Sequence, residues 1–263
     1  MSQNKSMVRH RLDDSKWDKI YAYLKQRPGT YTGHEEKSRL FIDAVHWIMR
    51  TGAQWRDMPS ELGNWNAVFK RFGRWSDQGI WDELHEHFIE DPDLEWLLID
   101  STVVRAHPCA AGAPKENGGQ EEQALGKRVG GFSTKIHVAV DGLGNPLRLL
   151  LTGGQRADST QAIALLEGFD FEALLADRGY DSDKILEFVA QNDAEAVIRG
   201  ALWAKKNRLV QRDTDWHTYK VRHLVECFMN KIKQYRRIFS RFEKYASRYK
   251  AFLSFASALI WLR

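Results

Sequence analysis

STKIHVAVDGLGNPLRLLLT, residues 133–152, reads as two strands and the turn between them. Ser133–Val140 alternates polar and apolar positions, which is the period of a strand. Asp141-Gly-Leu-Gly-Asn145 is turn chemistry, and Pro146–Thr152 resumes an apolar run, so the stretch forms a hairpin. Upstream, EWLLID (95–100) is a short apolar run that ends in a carboxylate. Downstream, EALLA (172–176) runs straight into Asp177, and EAVIR (195–199) reads as a further strand. Helical patterns fill the intervals: 158–169 with Asp158 or Ser159 as cap, 182–191, a long amphipathic helix over Tyr219–Phe239, and a final helix over Tyr245–Leu262.

The order is therefore strand, hairpin of two strands, helix, strand, helix, strand, helix. That is the order of the ribonuclease-H-like fold, an α/β arrangement with a mixed sheet and helices on both faces. Residues 12–90 read differently. Trp17, Ile20, Tyr21 and Leu24 recur at helical spacing, as do Leu40, Phe41, Ala44, Val45, Ile48 and Met49. A third helix starts near Asn64 and a fourth spans about Ile80–Phe88, with no strand pattern between them. Such helices on short turns resemble an all-α helix-turn-helix domain, with Asn64–Arg74 as recognition helix and Lys70, Arg71 and Arg74 on its polar side. The expected division is a helical DNA-binding domain over 1–92 and a catalytic domain over 93–263. Within the latter, residues 105–131 hold six glycines between Gly112 and Gly131 and read as a mobile loop.

Composition narrows the class. The 263 residues are 43% hydrophobic, enough for a substantial core. No run of 18 apolar residues is present, so no transmembrane helix is expected, and MSQNKSMVRHRLDDSKW lacks the apolar centre of a secretory signal. Two cysteines, Cys109 and Cys227, are too few for a disulfide framework or a zinc cage and fit a reducing cytosol. The net charge is only +4, yet Arg199–Lys250 holds fifteen Lys/Arg against four Asp/Glu, which suggests a polyanion partner or an ordinary basic surface.

Three acids stand at informative places: Asp100 at the end of the first strand, Asp177 at the end of the fourth, and Glu226 on the penultimate helix. Singly, each fits a turn or a solvated helix face. Together, they fall on the edge of the sheet where strand ends gather functional groups. Carboxylates packed together repel unless a cation neutralises them, and hard oxygen ligands favour Mg or Mn. Two such ions, about 3.5–4 Å apart, can clamp a phosphodiester. On the helix, Tyr219, Arg222, Glu226, Asn230 and Lys233 form one stripe at 100° per residue, opposite Val221, Leu224, Phe228, Ile232 and Tyr235. A carboxylate flanked by cations suits metal at one point and phosphates on either side. His107 and His137 lie in no ligand-spaced pair. His137 reads as structural, and His107 as a residue that could approach the carboxylates.

Tyr219-x2-Arg222-x3-Glu226-x6-Lys233 resembles the Tyr-Arg-Glu-Lys signature of DDE transposases in the insertion-sequence 4 and 5 superfamilies. IDST around Asp100 and ADRGYDS around Asp177 are similar to that group's two aspartate motifs. GGFSTKIH, DGLGNPLR, LTGGQRAD, LIWLR and the leader WRDMPSELGNWNAVFKRFGRW resemble the insertion-sequence 5 family. The resemblance implies that Asp100, Asp177 and Glu226 are catalytic and bind two Mg or Mn ions, with Arg222 and Lys233 on DNA phosphates, Tyr219 positioning the helix or DNA end, and Asn230 beside them. It implies a bacterial cytoplasmic, nucleoid-associated enzyme acting on double-stranded DNA: the element's terminal inverted repeats and the target, as a homodimer on DNA. Only 49 positions separate Asp177 from Glu226, so any insertion there is small. Two other readings remain at this stage: a nuclease of the same fold without strand transfer, and a DNA-binding regulator with a vestigial site. A haloacid-type phosphatase would need Asp-x-Asp, and Thr102 stands at the second position.

Overall fold

The structure is a computed structural model that describes residues 11–262 except 115, 117, 118, 129 and 200–214. Four helices come first: α1 (Asp14–Gln26), α2 (Glu35–Thr51), α3 (Trp65–Asp77) and α4 (Ile80–His87). Their ends follow local chemistry. Asp13 accepts the Lys16 amide at the start of α1, Asn64 accepts the Asn66 and Ala67 amides at the start of α3, and Gly52 closes α2 in the left-handed conformation. The chain continues as β1 (Trp96–Ala106), α5 (Gly119–Glu122), β2 (Gly126–Arg128), β3 (Gly131–Val140) and β4 (Pro146–Gly153). Then come α6 (Ala162–Leu166), β5 (Ala173–Ala176), α7 (Asp183–Gln191) and β6 (Glu195–Ile198). The last elements are α8 (Trp216–Tyr219), α9 (His223–Lys233), α10 (Arg236–Phe239), β7 (Ser240–Arg241) and α11 (Ala246–Trp261).

β1 is central. It pairs antiparallel with β3 and parallel with β5, β5 pairs parallel with β6, and β3 pairs antiparallel with β4 and β2. This is the ribonuclease-H-like sheet expected from the element order. Side-chain alternation divides it cleanly. Leu97, Ile99, Leu174, Ala176 and Ile198 face α6 and α7, in a core with Leu165, Leu166, Ile185 and Val189. Leu98, Val104, Leu175 and Val197 face the other way, in a core with Val225, Phe228 and Ile232 of α9.

That second core also contains the N-terminal helices. α11 is buried from Ala251 to Leu259, as a helix apolar on all sides should be. Phe72 of α3 stacks on its Phe252 at 4.5 Å, and Trp81 of α4 meets its Phe255 at 5.0 Å. One apolar cluster therefore runs from Trp17 and Phe41 through α11 to the sheet. The Asp141–Asn145 turn is held by Asp141, which accepts the Leu143 and Asn145 amides. Gly144 there has φ +79° and lies where a Cβ would meet Leu224 at 3.2 Å, so the turn buttresses α9.

Three expectations need correction. β1 does not stop at Asp100 but runs on to Ala106, because β3 remains paired with it to Arg105. The helix read over Tyr219–Phe239 is broken twice: a 3-10 turn, Lys220–Arg222, separates α8 from α9, and α9 ends at Lys233 with Tyr235 extended (ψ 110°). Its ring packs near His46 and Arg50 of α2, and Arg237 donates to the Ala53 carbonyl, so contacts with α2 turn the chain. The helix read over 158–169 is a 3-10 turn followed by only Ala162–Leu166. The glycine-rich stretch carries α5 and β2, and part of it lies outside the described residues. No helix among the described residues is long and apolar enough to cross a membrane.

His85 of α4 and Trp261 of α11 both donate to the Pro146 carbonyl, at 2.9 and 2.8 Å. Burial holds His85 down to about 4 from its ordinary 6.5. A depressed histidine contributes stability that is whole above pH 6.5 and is lost as pH falls towards 4. Urea denaturation of His85→Gln, which keeps a donor but does not titrate, should lose less stability than the parent across that interval. His137, also held to about 4, retains its own share in the variant.

Candidate active site

Leu98 of β1 lies opposite Leu175 of β5 in the parallel ladder. Two residues further along each strand stand Asp100 and Asp177. Parity carries both to the α9 face, and adjacent strands lie about 4.8 Å apart. β5 stops at Ala176, so Asp177 leaves the sheet there and its carboxylate accepts the Gly179 amide at 2.7 Å. Asp100 accepts the Ser101 amide at 2.8 Å and is half-buried. Burial raises its pKa and the neighbouring Asp177 charge adds to the rise, against the opposing pull of the Ser101 amide and Arg222.

α9 supplies the rest of this face. Arg222 donates to Asp100 at 3.0 Å and, one helical turn along, to the Glu226 carboxylate. Burial would lower the Arg222 pKa, but the two carboxylates hold it above the ordinary value. Lys233 donates to Thr102 Oγ1 at 2.5 Å, and burial lowers its pKa while Asp100 opposes. Tyr219 is half-buried beside the Arg222 guanidinium, whereas Glu226 and Asn230 are exposed. Val225, Phe228, Met229 and Ile232 clamp the opposite side of α9 to the sheet.

The predicted stripe is thus a real face, but its acids are not equally placed. Asp177 lies just past the end of β5, near enough for its charge to act on Asp100, while Glu226 is joined to Asp100 through Arg222. Among the described residues no three His, Cys, Asp or Glu side chains form a metal-binding cluster. The donors are all oxygen, which fits Mg or Mn better than zinc, and a cation would favour the charged form of Asp100 that burial opposes. Arg222 would have to leave Glu226 and Asp100 for all three acids to share an ion.

Sequence reading missed what lies behind this face. Ser101, of opposite parity to Asp100, donates to Asp158 at 2.7 Å, and Lys135 donates to the same oxygen at 2.7 Å. Burial would raise Asp158, but these two bonds hold it below the usual carboxylate range. Tyr180 is buried here, its pKa pushed up by burial and by the charges of Asp158, Asp100 and Asp177. The stretches TKIH and LTGGQRAD contain Lys135 and Asp158, yet nothing in their spacing pairs them.

Other predicted residues fall elsewhere. Lys70 and Arg74 are exposed on α3, but Arg71 folds back over Phe41 and Trp75, at 4.3 and 4.8 Å. His107 stacks on Phe242 seven residues beyond Asp100, roughly 23 Å of strand, and takes no part in the carboxylate site. His137 is fully buried against Thr152. The basic excess over 199–250 overstates the surface charge. Arg237 is buried against Glu243, and Arg241 against the carbonyls of Ala124, Glu243 and Lys244. Residues 200–214 of that segment lie outside the described residues.

Two family models match the chain. "Putative transposase of IS4/5 family" matches residues 12–85, and "Transposase DDE domain" matches residues 91–261. Among similar proteins, "Uncharacterized protein y4sN" of Sinorhizobium fredii is 42% identical over 43% of this chain and 90% of its own length. "Putative transposase for insertion sequence element IS6501" of Brucella ovis is 41% identical over 50% of this chain and 100% of its own. Among solved structures, a piggyBac transposase synaptic complex with hairpin DNA aligns with a TM-score of 0.38 at 13% identity, over 75% of this chain and 50% of that one. A pre-cleavage Mos1 transpososome aligns with a TM-score of 0.27 at 12% identity, over 90% of this chain and 79% of that one.

The raised Asp100 pKa has a stability consequence. Such a carboxyl favours the fold below its ordinary 3.8 and loses that contribution as pH rises through its higher folded value. Removing the charge should therefore stabilise the protein at neutral pH. In chelator-containing buffer, Asp100→Asn is expected to raise Tm at pH 7. Calorimetry below pH 4 should find the gain gone.

Proposed function

The chain belongs to the transposase DDE-domain family, and we propose that it is the transposase of a bacterial insertion sequence, acting in the cytoplasm on nucleoid DNA. It binds the terminal inverted repeats of its element, cleaves a phosphodiester at each end and joins the freed 3′-OH to target DNA. The observation that carries this reading is Asp100 on β1 with Asp177 just past the end of the neighbouring β5, and Arg222, at the start of α9, bonded to both Asp100 and Glu226.

In the first step water attacks the phosphorus, the P–O3′ bond breaks and a 3′-OH is left. In the second, that hydroxyl attacks a target phosphodiester and displaces the target's own 3′-oxygen. Two Mg or Mn ions held by Asp100, Asp177 and Glu226 would supply Lewis-acid stabilisation of the charge that builds on the phosphoryl oxygens. The chain's own groups do the remaining work. Arg222 exchanges its carboxylates for a DNA phosphate, which frees Glu226 and Asp100 together and so couples substrate arrival to assembly of the acid triad. Lys233, anchored on Thr102, holds a second phosphate, and Tyr219 orients the DNA end, with Asn230 on the same exposed face. Residues 1–92 recognise element DNA through Lys70 and Arg74 of α3, and residues 93–263 perform the chemistry. Two ends must be handled together, so the working form is a homodimer on DNA.

The deciding assay is divalent-dependent cleavage and strand transfer on the DNA that flanks this gene, with Asp177→Asn as control. Joined product that the control lacks supports the proposal. Cleavage without joining would make the chain a nuclease, and binding without either would make it a DNA-binding relic. Glu226→Gln is expected to cut cleavage at least about a hundredfold while leaving DNA affinity unchanged; normal cleavage by this variant would overturn the assignment. Affinity should also fall steeply with salt. Arg222, Lys233, Lys70 and Arg74 on phosphates imply a log–log slope of about −3.6, at −0.9 per contact, readable by anisotropy from 50 to 200 mM salt.

A further inference from the structure

At the far end of β1 from the carboxylates, two adjoining cavities of about 650 and 690 Å³ share Trp55, Phe69, Arg237 and Phe242. They form one groove between α3 and the segment from α10 to the start of α11. Its walls are rings. Phe69 is 47% exposed and meets Trp55 edge-on at 5.4 Å. Trp65 carries the Arg56 guanidinium at 5.5 Å, and Phe242 stacks on His107 with Arg237 over it at 5.0 Å.

The charge around these rings is one-sided. The two lining acids are already neutralised, Asp77 by Arg248 at 2.7 Å and Glu243 by Arg237 at 2.6 Å. Arg56, Lys70, Arg74 and Lys244 also line the groove, and among the described residues none of the four has a carboxylate partner. An apolar trough rimmed by unpaired cations is complementary to a chain that offers flat rings and negative charge together. Duplex DNA covers its base faces by stacking, so only unpaired nucleotides can present both.

The groove lies at the end of the strand that carries Asp100. His107 follows the last residue of β1, and Arg237 lies four residues beyond Lys233. We propose that this groove binds unpaired nucleotides of DNA, with bases stacked on Phe69 and Trp65 and phosphates on Arg56 and Lys244. This rests on the transposase reading and deepens it: one strand of the DNA at the reacting ends is held apart from its complement.

Cys109 lines the groove and is exposed, which gives a local probe. In the full chain, alkylation of Cys109, followed by peptide mass spectrometry, should slow when (dT)12 is added and remain unchanged with a 12-base-pair duplex. By anisotropy, Phe69→Ala should weaken (dT)12 at least about tenfold, the loss of one base–aromatic stack, with duplex affinity unchanged. Equal protection by duplex, or equal weakening of both ligands in the variant, would overturn the single-strand assignment and leave the transposase reading standing. DNA binding without protection of Cys109 would remove the groove from the DNA path. Failure to bind DNA in any form would bring down the proposal and the transposase reading together.

Discussion

Leu98 opposite Leu175 is the pairing on which the site depends. It fixes the parity of two parallel strands, and parity decides which face every later side chain takes. With this register, Leu98 and Leu175 enter the α9 core, and Asp100 and Asp177 follow two residues further along each chain segment. A slip of one residue on either strand would turn its aspartate to the opposite face and put apolar side chains where the polar face now stands. Such a slip would carry Asp100 or Asp177 towards the apolar core under α6 and α7, a cost that holds the register and with it the position of both carboxylates.

The same pairing creates an electrostatic problem that the fold answers locally. Burial raises the Asp100 pKa, and the Asp177 charge adds to it. Arg222 meets Asp100 and Glu226 at once and keeps the face near neutral. Its own position is not free: α9 is pinned by Val225, Phe228, Met229 and Ile232 and buttressed by the turn at Gly144. Behind the sheet, Lys135 and Ser101 hold Asp158, so the residue next to Asp100 in sequence is anchored from the other side. Substitutions that relieve the crowding should favour stability over chemistry, the usual trade at a charged site.

α11 ties this arrangement to the N-terminal helices. It is buried on all sides, receives Phe72 and Trp81 from α3 and α4, and ends at Trp261, which shares the Pro146 carbonyl with His85. The two segments matched by separate family models therefore meet in one apolar cluster. α3 and the carboxylates on the sheet are linked through packed side chains, which fixes their spacing.

How much of this was legible in the chain follows from the range of the forces involved. Alternation in STKIHVAV, turn chemistry in DGLGN and the helical spacing around Phe228 and Ile232 are local, so the strands, the hairpin and the exposed stripe of α9 could be read directly. The order of those elements gave the sheet, and Glu226, Asn230 and Lys233 fell on one face of α9 because 100° per residue puts them there. The break at Tyr235 could not be read, because contacts with α2 cause it and the helical period continues through it. Nor could the burial of Arg237 and Arg241, the return of Arg71 onto Phe41, or the joining of Lys135 to Asp158. Sequence determined what each segment prefers by itself. Only tertiary structure decided which charges met a partner, which were left to solvent and which rings were left uncovered, because those outcomes depend on contacts between residues far apart in the chain.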